Sequence, residues 1–220
     1  MQGDANVTSR PDKYLSAFER LSVLPPLFSL NTLVRATSLP RASAKVLLTR
    51  WCAKKLVESA GPRAGIYFNR VLDRDGSIAH AVKALVMKYP SATLCGASVL
   101  HGAGWTTQIP STLHAAVEAR SSYAKIDGVT LFPRPVAWFQ LMQDHRAWAA
   151  PTGKTAEAEA TTYGLRALTP EWALADLYAD KSMHSWQPDA DDLDIPRNGL
   201  LALRRARKIM NGSASLLPRA

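Results

Sequence analysis

Ala44, Leu47, Leu48 and Trp51 stand at i, i+3, i+4 and i+7, the spacing that gathers side chains on one face of an α-helix. That face points inward. The far side of the same helix is made by Ala42, Ser43, Lys45, Val46, Thr49 and Arg50, with Arg41 in the first turn and free to reach outward. Ser38 is the expected N-cap and Pro40 sits in the first turn, so the pattern predicts a helix that begins near Leu39 or Pro40. Upstream, "LFSLNTLVRA" repeats the pattern in short form: Ser29 caps a helix whose Leu30, Leu33 and Val34 share a face, and a turn of three or four residues around Thr37 to Leu39 joins the two. Earlier still, Tyr14, Leu15, Phe18 and Leu21 predict a first helix, ended by Pro25-Pro26.

The period then changes. Residues 56–59 and 65–68 read as two short strands around "AGPRAG", a Gly/Pro turn with Arg63 at its tip. Three helices, the last two tightly joined, followed by a hairpin is the order of a winged helix-turn-helix. Charge points the same way. Up to residue 70, eleven cations stand against four acidic residues, a balance of +7 out of +9 for the whole chain. A basic helix and a basic turn are the electrostatic footprint of a surface that neutralises phosphates and releases their counterions.

Past "VLDRDGS" at 71–77, a polar segment with a turn-forming Asp-Gly, the pattern becomes mixed. Ile78, Val82, Leu85 and Tyr89 line a helix that stops at Pro90, and a shorter helix runs through "GASVLHGAG". Strands are expected in "TLHAAVEA" and on both sides of Asp127-Gly128 in "AKIDGVTLF". Thr169-Pro170 opens another helix, "PEWALADLYA", in which Trp172 or Ala173, with Leu174, Leu177 and Tyr178, can pack. Asp189, Asp191, Asp192 and Asp194 then precede "GLLALRRARKIM", where Leu200, Leu201 and Leu203 can dock while Arg204, Arg205, Arg207 and Lys208 stay in water. The expected organisation is a DNA-binding domain at 1–70, a second domain at 75–195 and a basic tail at 196–220.

Length and composition allow this. The 220 residues are 47% hydrophobic and 20% charged, enough for two modest cores. The uncharged run from Tyr89 to Val117 is broken by prolines and hydroxyls, so no membrane span is expected, and the first residues have no apolar signal region. Two cysteines far apart, Cys52 and Cys95, suit reduced thiols and a cytoplasmic protein.

No enzyme is expected. "PTGKT" has Trp148 where a phosphate loop needs glycine, and "DRDGS" lacks the later glutamate of a calcium loop. The five histidines, His80, His101, His114, His145 and His184, are scattered, and with two cysteines they supply no zinc spacing. Cys95 with His101 would suggest a thiol nucleophile, but a small buried cysteine beside a helix is the commoner arrangement. Trp105, after two glycines, is either a core residue or a partly exposed aromatic.

"LCGASVLHGAGWTTQIPSTLHAAVE", with the helical module before it and a strand pair and "LTPEWALADLY" after it, resembles the AbiEi-type antitoxins of bacterial type IV toxin–antitoxin (abortive infection) systems. The likeness runs from about Tyr14 to Tyr178. Its most specific part is the small-residue helix ending in His101-Gly102 and continuing to Gln108-Ile109-Pro110. The resemblance implies an α+β chain, an N-terminal winged helix-turn-helix followed by a mixed α/β C-terminal antitoxin domain. It implies repression of the chain's own operon by binding double-stranded promoter DNA at inverted repeats, and counteraction of a cognate nucleotidyltransferase-like toxin, functionally or by physical contact. No catalytic residue, metal or cofactor is then needed. Ser43, Lys45, Thr49 and Arg50 would enter the major groove while Arg41 and Arg63 hold phosphates, and Arg204, Arg205, Arg207 and Lys208 would offer a further nucleic-acid contact. Two alternatives stay open: a winged-helix regulator whose second domain senses a ligand or oligomerises, and an interaction protein whose basic surface meets an acidic protein.

Overall fold

In the computed structural model, residues 16–73, 78–119, 123–149, 164–180, 188 and 192–213 are described, Ile78 and Ala79 by backbone only. Tyr14, Leu15, "PTGKT", His184, Asp189, Asp191 and most of "VLDRDGS" lie outside the described residues. The fold is α+β. The chain divides into two compact units, Met1–Ala60 with Gly65–Gly76, and Gly61–Ala64 with Ser77–Ala220.

The first unit opens with helix α1 (Ala17–Ser22). Ser16 caps it through a capping box: its hydroxyl accepts from Glu19 N–H while the Glu19 carboxylate accepts from Ser16 N–H at 2.7 Å. Leu21 is buried, but Phe18 is 62% exposed, which corrects its expected place on the inner face. The inward face is made instead by Ala17 and Leu21, one turn apart, which leaves Phe18 about 100° round the helix from Ala17. After Pro25-Pro26 comes strand β1 (Leu27–Ser29), which the sequence pattern had merged into the helix that follows. Ser29 ends β1 and caps helix α2 (Leu30–Thr37), pairing reciprocally with Thr32.

Ser38 is not an N-cap. It closes α2 in the left-handed conformation, φ 51°, where its short polar side chain is tolerated better than a bulky one. Helix α3 (Arg41–Ala53) therefore starts later than expected, behind Pro40, with no side-chain cap. Strands β2 (Val57–Ser59) and β3 (Ile66–Asn69) complete an antiparallel sheet in the order β1-β3-β2, with Leu27 opposite Phe68 and Val57 opposite Asn69. Leu21, Leu24, Phe28, Leu33, Ala44, Leu48, Trp51 and Val57 form one core. Asn69, fully buried, ties that core together at its polar edge: its side-chain N–H donates to Leu21 O at 2.7 Å and its Oδ1 accepts from Val71 N–H.

The second unit contains helix α4 (Ile78–Lys88), strand β4 (Thr93–Leu94), helix α5 (Gly96–Gly102), strands β5 (Leu113–Glu118) and β6 (Val129–Arg134), helix α6 (Val136–Asp144), strand β7 (Arg166–Ala167) and helices α7 (Pro170–Ala179) and α8 (Arg197–Gly212). The sheet order is β6-β5-β4-β7. β5 and β6 run parallel, so Asp127-Gly128 does not turn a hairpin and residues 124–126 form no strand; the dipeptide is only the turn into β6, with Gly128 at φ 78°. Thr169 stands at the N-cap of α7 with Pro170 as its first residue, but its side chain makes no cap hydrogen bond. α8 packs along α7, and its buried residues are Gly199, Leu203, Ala206 and Met210. Leu200 and Leu201 do not dock: they are 43% and 62% exposed, because the docked face is centred on Gly199, Leu203, Ala206 and Met210, which leaves Leu200 at its margin and Leu201 on the far side. Trp105 is core, 4% exposed, and packs closely enough against α8 that a Cβ on Gly199 would meet its ring at 2.8 Å.

Candidate nucleic-acid interface

α3 follows α2 after Ser38–Pro40, and the extended Pro40 backbone redirects the chain so that Ala44, Leu48 and Trp51 reach the core while Arg41, Ala42, Ser43, Lys45, Val46, Thr49 and Arg50 are exposed. Five of the six site residues expected at the N-terminal module therefore share one helix and one unit. On a wheel of about 100° per residue the centre of the outward face is Ala42, Val46 and Thr49, with Lys45 on one flank and Ser43 and Arg50 on the other. Arg41 Nη1 donates to Asn31 Oδ1 at 2.7 Å, which fixes its guanidinium against α2 and leaves its remaining donors free. The Thr49 hydroxyl donates to Lys45 O at 3.1 Å, so it can offer only acceptor lone pairs and its methyl. Among the described residues, neither Lys45 nor Arg50 is in an ion pair. Two contributors went unmarked in the sequence reading: Val46, 51% exposed and suited to a thymine methyl, and Asn31, whose partner lies ten residues on.

Arg63 lies in a turn assigned to the other unit. The turn Gly61–Ala64 belongs to the second unit, where Lys125 N–H donates to Pro62 O at 3.1 Å and Gly61, at φ 144°, lies directly against the Lys125 carbonyl. Arg63 has the left-handed φ of 60° and, with Lys88, Tyr89, Glu118 and Tyr123, lines an open cleft of about 380 Å³.

The second unit also buries a charged network that the sequence reading did not anticipate. Arg134, at the end of β6, meets Asp176 at 2.9 Å and Asp180 at 2.6 Å, and Trp138 Nε1 donates to the other Asp176 oxygen at 2.8 Å. All of it is closed to solvent. Asp176 lies 42 residues beyond Arg134 and 38 beyond Trp138, so no local spacing announces the network. Cys95 is fully buried at the start of α5, and burial, with the nearby Asp176 carboxylate, pushes its thiol far above its ordinary value. A protonated, inaccessible thiol cannot act as a nucleophile. His101 lies in the last turn of α5, half-buried, and makes an interaction of its own. Arg204, Arg205, Arg207 and Lys208 are all exposed on α8, with the Arg207 guanidinium 4.9 Å above the Tyr178 ring.

The fold is similar to that of a solved structure, the RV2827C protein from Mycobacterium tuberculosis, with a TM-score of 0.53 over 87% of this chain and 68% of that one, at 15% identity. No protein-family model matches the chain, and no curated protein does. At that identity the likeness shows a shared α+β fold.

Proposed function

We propose that the first unit is a winged helix-turn-helix that binds double-stranded DNA through α3, and that the chain is an AbiEi-type antitoxin that represses its own operon at inverted repeats and counteracts a nucleotidyltransferase-like toxin through its second unit. The observation that carries the DNA reading is the outward face of α3: small and methyl-bearing at its centre, cationic on both flanks, and set by a three-residue turn behind α2. That composition suits a helix lying in a major groove, where methyl groups meet thymines and Arg or Lys meets guanine edges or phosphates. The succession α1-β1-α2-α3-β2-β3, with its sheet order β1-β3-β2, supports the winged arrangement. The antitoxin role is supported by the resemblance of residues 94–118 and their surroundings. Co-expression with a nucleotidyltransferase-like toxin encoded beside the chain tests it: growth should be restored, and continued arrest would sink the antitoxin role while leaving DNA binding to its own test.

A second reading has one observation in its favour. A cleft of about 340 Å³ between Pro90–Thr93, Phe139 and the pair Arg166–Trp148, whose guanidinium lies 5.6 Å from the indole ring centre, is of a size for a small ligand. A regulator whose second unit senses a ligand would use such a place, and would show promoter affinity that changes with that ligand.

A further inference from the structure

α8 carries five cations and no acidic residue in its sixteen positions, whereas the rest of residues 71–220 holds eleven cations against fourteen acids. The positive charge of the second half is thus collected on one helix. Gly199, Leu203, Ala206 and Met210 occupy the docked side. At about 100° per residue, Arg197, Arg204 and Lys208 fall within roughly 40° of one another on the opposite side, with Leu200 and Leu201 to either side of that line and Arg205 just beyond. At about 1.5 Å per residue, the three cations are roughly 10 and 6 Å apart along the axis. Among the described residues none of these four cations is in an ion pair, and Arg207 alone leans back, over Tyr178.

We propose that the outward face of α8 is a second, sequence-independent contact for the phosphates of double-stranded DNA, made by Arg197, Arg204, Arg205 and Lys208. The outward face of α8 consists of long cationic side chains, without the small, methyl-bearing centre of α3, so its cations suit the phosphate backbone and read no base. Its docked side argues against a lipid surface, because an interfacial helix turns its apolar side to the membrane and α8 turns it to the protein. Leu200 and Leu201, separated by the cations, are placed to lie against deoxyribose. The proposal stands on α8 alone, so it holds or fails independently of the α3 reading.

The test uses the full chain, a duplex carrying its promoter and a duplex of scrambled sequence, each titrated across a range of salt. The variant R197Q/R204Q/R205Q/K208Q removes only exposed charge, and its melting profile should match the parent's. On both duplexes alike, its slope of log affinity against log salt should become shallower by about 0.9 for each lost contact. An unchanged slope with unchanged folding overturns the proposal. So does an unchanged slope accompanied by lost binding to phosphatidylserine vesicles, which would assign the face to lipid. Arg50→Ala, measured in parallel, should alter the preference for promoter over scrambled duplex; its failure to do so would count against α3 and leave α8 untouched.

Discussion

Gly199 and Trp105 show how single positions hold the second unit together. The indole occupies the space a side chain would need, so Gly199→Ala should cost about 1 to 3 kcal/mol, seen as a lower melting temperature. The Arg134–Asp176–Asp180 network makes a stronger statement. Asp176→Ala leaves a buried guanidinium short of one carboxylate and the Trp138 N–H without its acceptor, and should cost about 3 to 5 kcal/mol. A change within about half a kcal/mol in chemical denaturation would mean that water or another group takes over. His114 supplies a pH signature. Burial lowers its imidazole below the ordinary 6.5, so between the folded and unfolded values the unfolded chain binds more protons, and stability falls as pH drops below about 6.5. His114→Gln should flatten that part of a stability–pH curve. None of these three residues was marked for these roles by the sequence, because each depends on partners brought from distant positions. The outward residues of α3 were legible, since a 3.6-residue period assigns faces without any knowledge of what packs against them.

At the scale of elements, what could be read was whatever is specified locally. Ser29 followed by Thr32 specifies the start of α2, and Ser29→Ala should destabilise the first unit by about 1 kcal/mol, measurable as a shift in the denaturation midpoint. Periodicity likewise gave α3, α4 and α5 within a few residues. β1 was missed because three residues carry too little alternation to be separated from the helix they precede. β5 and β6 were placed correctly as strands, but their parallel pairing is a non-local choice, and Asp127-Gly128 looks the same to a local reading whether it turns a hairpin or only enters a strand. In α8 the leucine cluster misled. Leu203 docks, yet the rest of its face is Gly199, Ala206 and Met210, with the glycine leaving room for the Trp105 ring.

At the scale of the molecule, charge is distributed in two places: on and around α3, within a first seventy residues of net +7, and on the outward side of α8. Long-range steering toward a polyanion would draw on both, while on the proposed reading discrimination among sequences would fall to α3, whose exposed face combines methyl groups with flanking cations. No helix among the described residues is long and apolar enough to cross a membrane. Arg50→Ala and the α8 variant R197Q/R204Q/R205Q/K208Q separate the two kinds of contact: the first should lose about 1 to 3 kcal/mol and relax preference at one base pair, the second should weaken all sequences alike. The most direct measurement of the central claim is the affinity of the full chain for its own promoter and for a scrambled duplex of the same length and composition, titrated side by side at two salt concentrations. Tighter binding to the promoter at both concentrations, with the margin lost in an α3 variant, is the predicted result; equal affinity for the two duplexes would contradict the account.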